Sequence, residues 1–174
     1  RAARDGYRYA IITNDDVFFY KNSIEKLYSA IIENDHVIIG ADQNLERGDV
    51  GLIDESKEDH YYSAFFCYAI DIKKIWKNCG LFDENFFPAY FEDNDMRRRI
   101  ALAGLTMAIH TGAKVYHHHS ATQYADKENQ VCSPQHWNMN QNYFIAKWGG
   151  MPGKEKFPTP FNDPNKTIKD WEKR

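Results

Sequence analysis

A short apolar run that stops abruptly in acid constrains this chain most. Tyr7–Thr13 (YRYAIIT) is dominated by aromatic, aliphatic and β-branched residues, and Asn14-Asp15-Asp16 follows at once. Such a run reads as a buried strand, and the polar triplet as the turn that ends it. Ser23 then caps a predicted helix whose apolar positions Ile24, Leu27, Tyr28, Ile31 and Ile32 keep helical spacing. His36–Ala41 (HVIIGA) reads as a second buried strand. Strands alternating with helices predict an α/β layered domain with a mixed, mostly parallel sheet flanked by helices. In such sheets ligands sit beyond the carboxyl ends of the strands, where the acidic triplet lies.

The pattern continues along the chain. Residues 42–60 are acidic and aperiodic, which predicts a loop. Tyr61–Ile70 reads as a strand, and Asp71–Asn78 as a helix that Gly80 ends. Leu81–Tyr90 is an aromatic-rich loop. A helix over Glu92–Ala103 starts with acids and stops at Gly104. Leu105–Ile109 and Lys114–His118 read as two short strands around Thr111-Gly112. Ser133-Pro134 opens a helix that runs to Trp148, because proline suits the first helical position. From Gly149 onward Pro152, Pro158, Pro160 and Pro164 predict an extended tail on the surface. The opening residues Arg1–Gly6 read as the last turn of a helix with Gly6 as its cap, so the expectation is a sequence that begins partway through a domain.

Composition narrows the function classes. The chain has 174 residues, 43% apolar and 27% charged, ordinary for one soluble globular domain. Its formal net charge of −3 supplies no basic excess for nucleic acid. No apolar run approaches the ~20 residues of a membrane span, and no signal-peptide pattern is present. Cys67, Cys79 and Cys132 lack CxxC spacing, so they make neither a disulfide framework nor a thiolate zinc site. They are expected to be buried thiols in a reducing compartment.

Three constellations carry chemistry. Adjacent carboxylates in Asn14-Asp15-Asp16 repel unless a cation or hydrogen-bond donors compensate, and hard divalent cations want such oxygens. A turn with capping aspartates has the same sequence. Phe91-Glu92-Asp93-Asn94-Asp95 places three acids at a helix start, where the macrodipole favours ionised carboxylates. One of them could act as a general base, or all could serve the helix terminus alone. In His117-His118-His119, a strand would turn His117 and His119 to one face, a spacing that suits a metal or a satisfied, partly buried histidine.

The order of these segments resembles the C-terminal two-thirds of a family 2 glycosyltransferase with the GT-A fold. The resemblance is carried by Asn14-Asp15-Asp16-Val17 at a strand end, by Cys79-Gly80-Leu81-Phe82-Asp83-Glu84-Asn85-Phe86-Phe87, by Phe91-Glu92-Asp93-Asn94-Asp95-Met96-Arg97-Arg98-Arg99, and by Ala103-Gly104 with Val115-Tyr116-His117. Asp93 and His117 are 24 residues apart, similar to the family's spacing of base and metal-binding histidine. It covers about residues 5 to 150, with residues 151–174 as a separate tail. The family's first strand-helix pairs, which bind the nucleotide base and ribose, have no counterpart here, so the resemblance implies a GT-A-like (Rossmann-like) domain that is N-terminally incomplete.

The resemblance implies roles residue by residue. Asp16 would coordinate the divalent metal, Mn2+ or Mg2+, with His117. Asn14 and Asp15 match the earlier positions of the DxD-type motif, which hold the donor's ribose, sugar or metal-bound water. Asn14 stands where the family usually has aspartate. Asp93 matches the catalytic base and Glu92 its partner. Asp95 and Arg99 match the supporting helix positions, with Arg99 assigned to cofactor binding. The implied reaction is inverting transfer from a nucleotide-diphosphate sugar to a glycan or glycoconjugate hydroxyl. The implied location is the cytoplasm, at or near the cytoplasmic face of a membrane through the acceptor. Aromatics of the Phe82–Phe91 loop and Trp137 are candidates to stack on the acceptor. A metal-dependent hydrolase, or a silent nucleotide- or carbohydrate-binding module, would be the alternatives.

Overall fold

A computed structural model describes residues 2–54, 65–118 and 132–170. The chain divides into two compact units, residues 1–77 with 105–119 and residues 78–104 with 120–174.

The first unit is built on a mixed sheet. Its strands are β1 (Tyr9–Thr13), β2 (Val17–Phe19), β3 (Ile38–Asp42), β4 (Leu52–Asp54), β5 (Cys67–Asp71) and β6 (Met107–His117), with helices α1 (Ser23–Glu33) and α2 (Ile72–Asn78). The spatial order is β1-β5-β3-β6-β2, and β4 also pairs with β6. Only the β3–β6 pair is parallel among the described strands. The sheet is therefore mixed, and the expectation of a mostly parallel one is corrected. The interior strands β3 and β5 are buried along their whole length, whereas β1, at the sheet edge, is half-buried and then exposed.

Leu27, Ala30 and Ile31 of α1 pack against Ile39, Ala41, Phe66, Cys67, Ala69, Ala113 and Val115. Ile24, Tyr28 and Ile32 stay exposed, so of the five stripe positions only Leu27 and Ile31 are core. Ser23 does not cap α1. The cap position is Asn22, in the left-handed region with no side-chain cap bond, and Ser23 Oγ donates instead to the Lys114 carbonyl.

Two further corrections concern β4 and β6. β4 lies inside the predicted 42–60 loop; residues 55–64, including the start of the predicted Tyr61–Ile70 strand, lie outside the described residues. The two short strands expected around Thr111-Gly112 form one strand, whose register against β3 shifts between Ala41 and Asp42. Gly112 sits against the Asp49 carboxylate, where an added Cβ would lie 2.2 Å from Oδ2. That close approach, and not a strand end, is what the glycine serves.

The second unit holds α3 (Glu92–Leu102), α4 (Pro134–Trp148) and a 3-10 turn (Pro160–Asn162). Ser133 caps α4 as expected, its Oγ accepting from the His136 N–H at 3.3 Å. Gly104 and Gly149, at φ 68° and 76°, follow the ends of α3 and α4. Phe86, Phe91, Phe144 and Trp148 form an aromatic core. After Gly149 the chain turns back, and Lys156 and Phe157 donate their N–H groups to the Trp148 carbonyl. It is turned rather than extended.

Candidate functional site

The acidic triplet is held by the two strands it joins. Thr13 pairs with Cys67, and the next N–H, of Asn14, donates to the Phe66 carbonyl at 2.8 Å. The chain then turns into β2, whose Val17 pairs with His117 on β6. The His118 N–H donates to the Asp16 carbonyl at 2.9 Å, locking the triplet against the end of β6. Backbone pairing thus brings Asp16 and His117 together although about 100 residues separate them.

Their side chains meet. Asp16 Oδ1 lies 3.2 Å from His117 Nε2, and both side chains are largely buried, at 14% and 12% exposed. Asp16 Oδ1 is itself buried and accepts no hydrogen bond despite that closeness. The His117 ring stacks on Phe66, with centroids 4.7 Å apart and planes at 14°. Phe66 therefore fixes the imidazole plane, a role the sequence did not signal. An open cleft of about 450 Å³ lies here, lined by Gln43, Tyr116, His117 and His118. Asn14 and Asp15 are exposed beside Asp16.

This pair fits a divalent cation. Two ligands about 2.1 Å from one octahedral ion, at right angles, lie roughly 3 Å apart. A buried carboxylate oxygen and an imidazole nitrogen 3.2 Å apart match that spacing. The nitrogen ligand suits Mn2+ better than Mg2+, which prefers oxygen. No group of three or more His, Cys, Asp or Glu side chains is gathered for a metal among the described residues. Asp16 and His117 are two residues that would hold such a cation. His119 lies outside the described residues.

The second unit carries the acids of α3. The helix begins after Phe91, which is in the left-handed region with no side-chain cap bond, so simple capping does not account for the acids. Asp93 is partly buried, and its Oδ1 accepts the Asn94 N–H at 2.7 Å. Glu92 departs from the expectation that the macrodipole keeps these acids ionised. Burial, with the neighbouring Asp93 charge second, pushes its carboxyl up to about 7. Its Oε2 is buried without a hydrogen-bond partner. Desolvation here outweighs the helix dipole.

Asp95 and Arg99 belong to the core. Both are wholly buried. Arg99 donates to Asp95 Oδ2 at 2.8 Å and to the carbonyls of Cys79 and Leu81 at 2.6 Å each. Asp95 Oδ1 takes Lys147 at 2.7 Å and the Trp148 indole N–H at 2.8 Å. Lys147 also reaches Asp83 Oδ2 at 2.8 Å, which the Tyr143 hydroxyl joins at 2.9 Å. Two acids and two bases thus neutralise each other within α3, α4 and the loop between Cys79 and Phe91. Arg99, which the resemblance assigns to cofactor binding, is wholly buried, and its guanidinium bonds within this network. Lys147 and Trp148 were not legible as its members, because nothing in a helix sequence marks a lysine as buried. Trp137, a candidate stacking residue, is 42% exposed and packs tilted against Tyr90 at 4.8 Å and edge-on against Phe91 at 5.1 Å.

Cys67, Cys79 and Cys132 are free and buried, and burial pushes the first two thiols up to about 11. No helix among the described residues is long and apolar enough to cross a membrane. No family model matches the chain, and no curated protein matches it.

Proposed function

We propose that the chain is the catalytic part of an inverting glycosyltransferase of family 2, with a GT-A-like arrangement and a nucleotide-diphosphate sugar as donor. The observation that carries this reading is the Asp16–His117 pair, joined at adjoining strand ends with the spacing of two ligands to one cation. The ordered motifs from Asn14 to His117 supply the family context.

Asp16 and His117 would hold the divalent cation, which supplies charge neutralisation for the departing diphosphate. Asn14 and Asp15, exposed beside them, offer an amide and a carboxylate to the donor's hydroxyls. Asp93 would take the proton of the acceptor hydroxyl as its oxygen attacks the anomeric carbon from the face opposite the leaving group. Glu92, near half-protonation at neutral pH, adds less negative charge beside Asp93 than a fully ionised neighbour would. Phe66 holds the imidazole plane, and Asp95 with Arg99 anchors the helix that carries Asp93.

Acceptor-dependent release of nucleoside diphosphate tests the reading. Asp93→Asn should retain cation and donor binding while transfer falls on the order of 10²- to 10⁴-fold. Near-normal turnover in that variant would remove Asp93 from the base role. Release that needs no acceptor would point to a hydrolase, and no release with any donor to a binding module.

A further inference from the structure

β2 and the end of β6 turn a row of rings toward solvent. Antiparallel pairing sets Phe18 opposite Tyr116, and their ring centroids stand 6.3 Å apart. His118, two residues beyond Tyr116, falls on the same face, with its ring 6.2 Å from that of Tyr116. Val17 and Val115 alternate with these residues and pack in the core. Phe18 is 66% exposed and Tyr116 48% exposed. Core packing therefore accounts for neither ring. Tyr116 also lines the open cleft beside His117, together with Gln43 and His118. These four lining residues include no carboxylate, lysine or arginine, so the cleft suits an uncharged polar ligand. Gln43 Oε1 is buried and accepts no hydrogen bond among the described residues. A buried amide oxygen left unpaired is costly, and a hydroxyl of a ligand in the cleft would satisfy it.

We infer that the cleft and the ring row beside it hold a sugar chain. Tyr116 lies under the apolar C–H face of one sugar ring, Gln43 Oε1 accepts a hydroxyl from its edge, and Phe18 carries the next ring. An aromatic surface beside an unpaired amide oxygen matches a ligand that is apolar on its faces and hydroxylated at its rim. The row runs from the Asp16–His117 pair to β2, the last strand in the described sheet order, so it has room for more than one sugar. A nucleotide-diphosphate donor ends at its single sugar, which leaves the acceptor as the chain that the row receives. That last assignment rests on the transferase reading, whereas the sugar-binding surface does not.

Isothermal titration of the full chain in EDTA with glucose, cellopentaose, maltopentaose and chitopentaose tests this. At least one pentasaccharide should bind saturably and about tenfold or more tightly than glucose. Tyr116→Ala and Gln43→Ala should each weaken that binding by about tenfold, and Phe18→Ala should reduce the preference over glucose. Should Tyr116→Ala unfold the chain, Tyr116→Val, which keeps a β-branched residue on the strand, reports the same loss. Thermal unfolding with metal and nucleotide, run on the same samples, separates the two readings. A pentasaccharide that binds where no metal–nucleotide pair raises Tm would support the sugar surface and end its assignment to an acceptor. No saturable binding of any pentasaccharide, affinity equal to that for glucose, or unchanged affinity in all three variants would overturn the proposal. A metal–nucleotide rise in that same chain would show that the transferase reading survives the loss.

Discussion

Glu92 shows how one carboxyl can be set against its own helix. Its position in the first turn favours the ionised form, yet burial beside Asp93 pushes it up to about 7. Between its ordinary value of 4.5 and about 7, the folded chain keeps a proton that the unfolded chain has released. Stability therefore falls as pH rises through that window, by up to about 3 kcal/mol. Glu92→Gln removes the penalty. Urea unfolding at pH 8 should find the variant more stable than the parent by about 1–3 kcal/mol, with little difference at pH 4.5. Equal stabilities at both values would show that the Glu92 carboxyl is not desolvated as described. Residue chemistry was partly legible in the sequence: Asp16 and His117 stood out by type and position, and they do meet. Phe66 beneath the imidazole did not stand out, because stacking depends on which strands pair.

The elements that carry Asp93 are tied by charge as well as by aromatic packing. Lys147 of α4 binds Asp83 and Asp95 at once, with no exposed surface on any of the three. Lys147→Met would leave two buried carboxylates with Arg99 as their nearby cation. Removing one partner of a buried pair costs about 3–5 kcal/mol, which for a chain of this size lowers Tm by roughly 10 °C. Lys147→Met combined with Asp83→Asn should recover part of that loss, and thermal melts of the single and double variants read it directly. Additive losses would show that Lys147 and Asp83 do not interact. Helix existence and most ends were readable from periodicity and caps, as α2, α3 and α4 show. Strand direction was not. A strand sequence does not state its partner, and β1 pairs antiparallel with β5 instead of joining a parallel array.

The two units interleave in sequence: the chain leaves the first after Lys77 and returns to it at Leu105. A reading of contiguous segments has no signal for that division, because each segment looks locally ordinary. The division also separates the proposed roles, with Asp16 and His117 in one unit and Asp93 in the other. Cation binding and proton abstraction should therefore fail independently when mutated. In the proposed function Asp16 and His117 hold a divalent cation for a nucleotide-bearing donor. Thermal unfolding with Mn2+ or Mg2+, with UDP, GDP, dTDP or CMP, and with each metal–nucleotide pair reads that binding. A ligand at ~100 times its dissociation constant adds about 2.7 kcal/mol. For a chain of this size that raises Tm by roughly 5–10 °C. The expected result is a rise that requires metal and one nucleotide together, vanishes in Asp16→Ala and His117→Ala, and persists in Asp93→Asn. A rise that survives Asp16→Ala, or no rise with any metal–nucleotide pair, would contradict cation binding by Asp16 and His117.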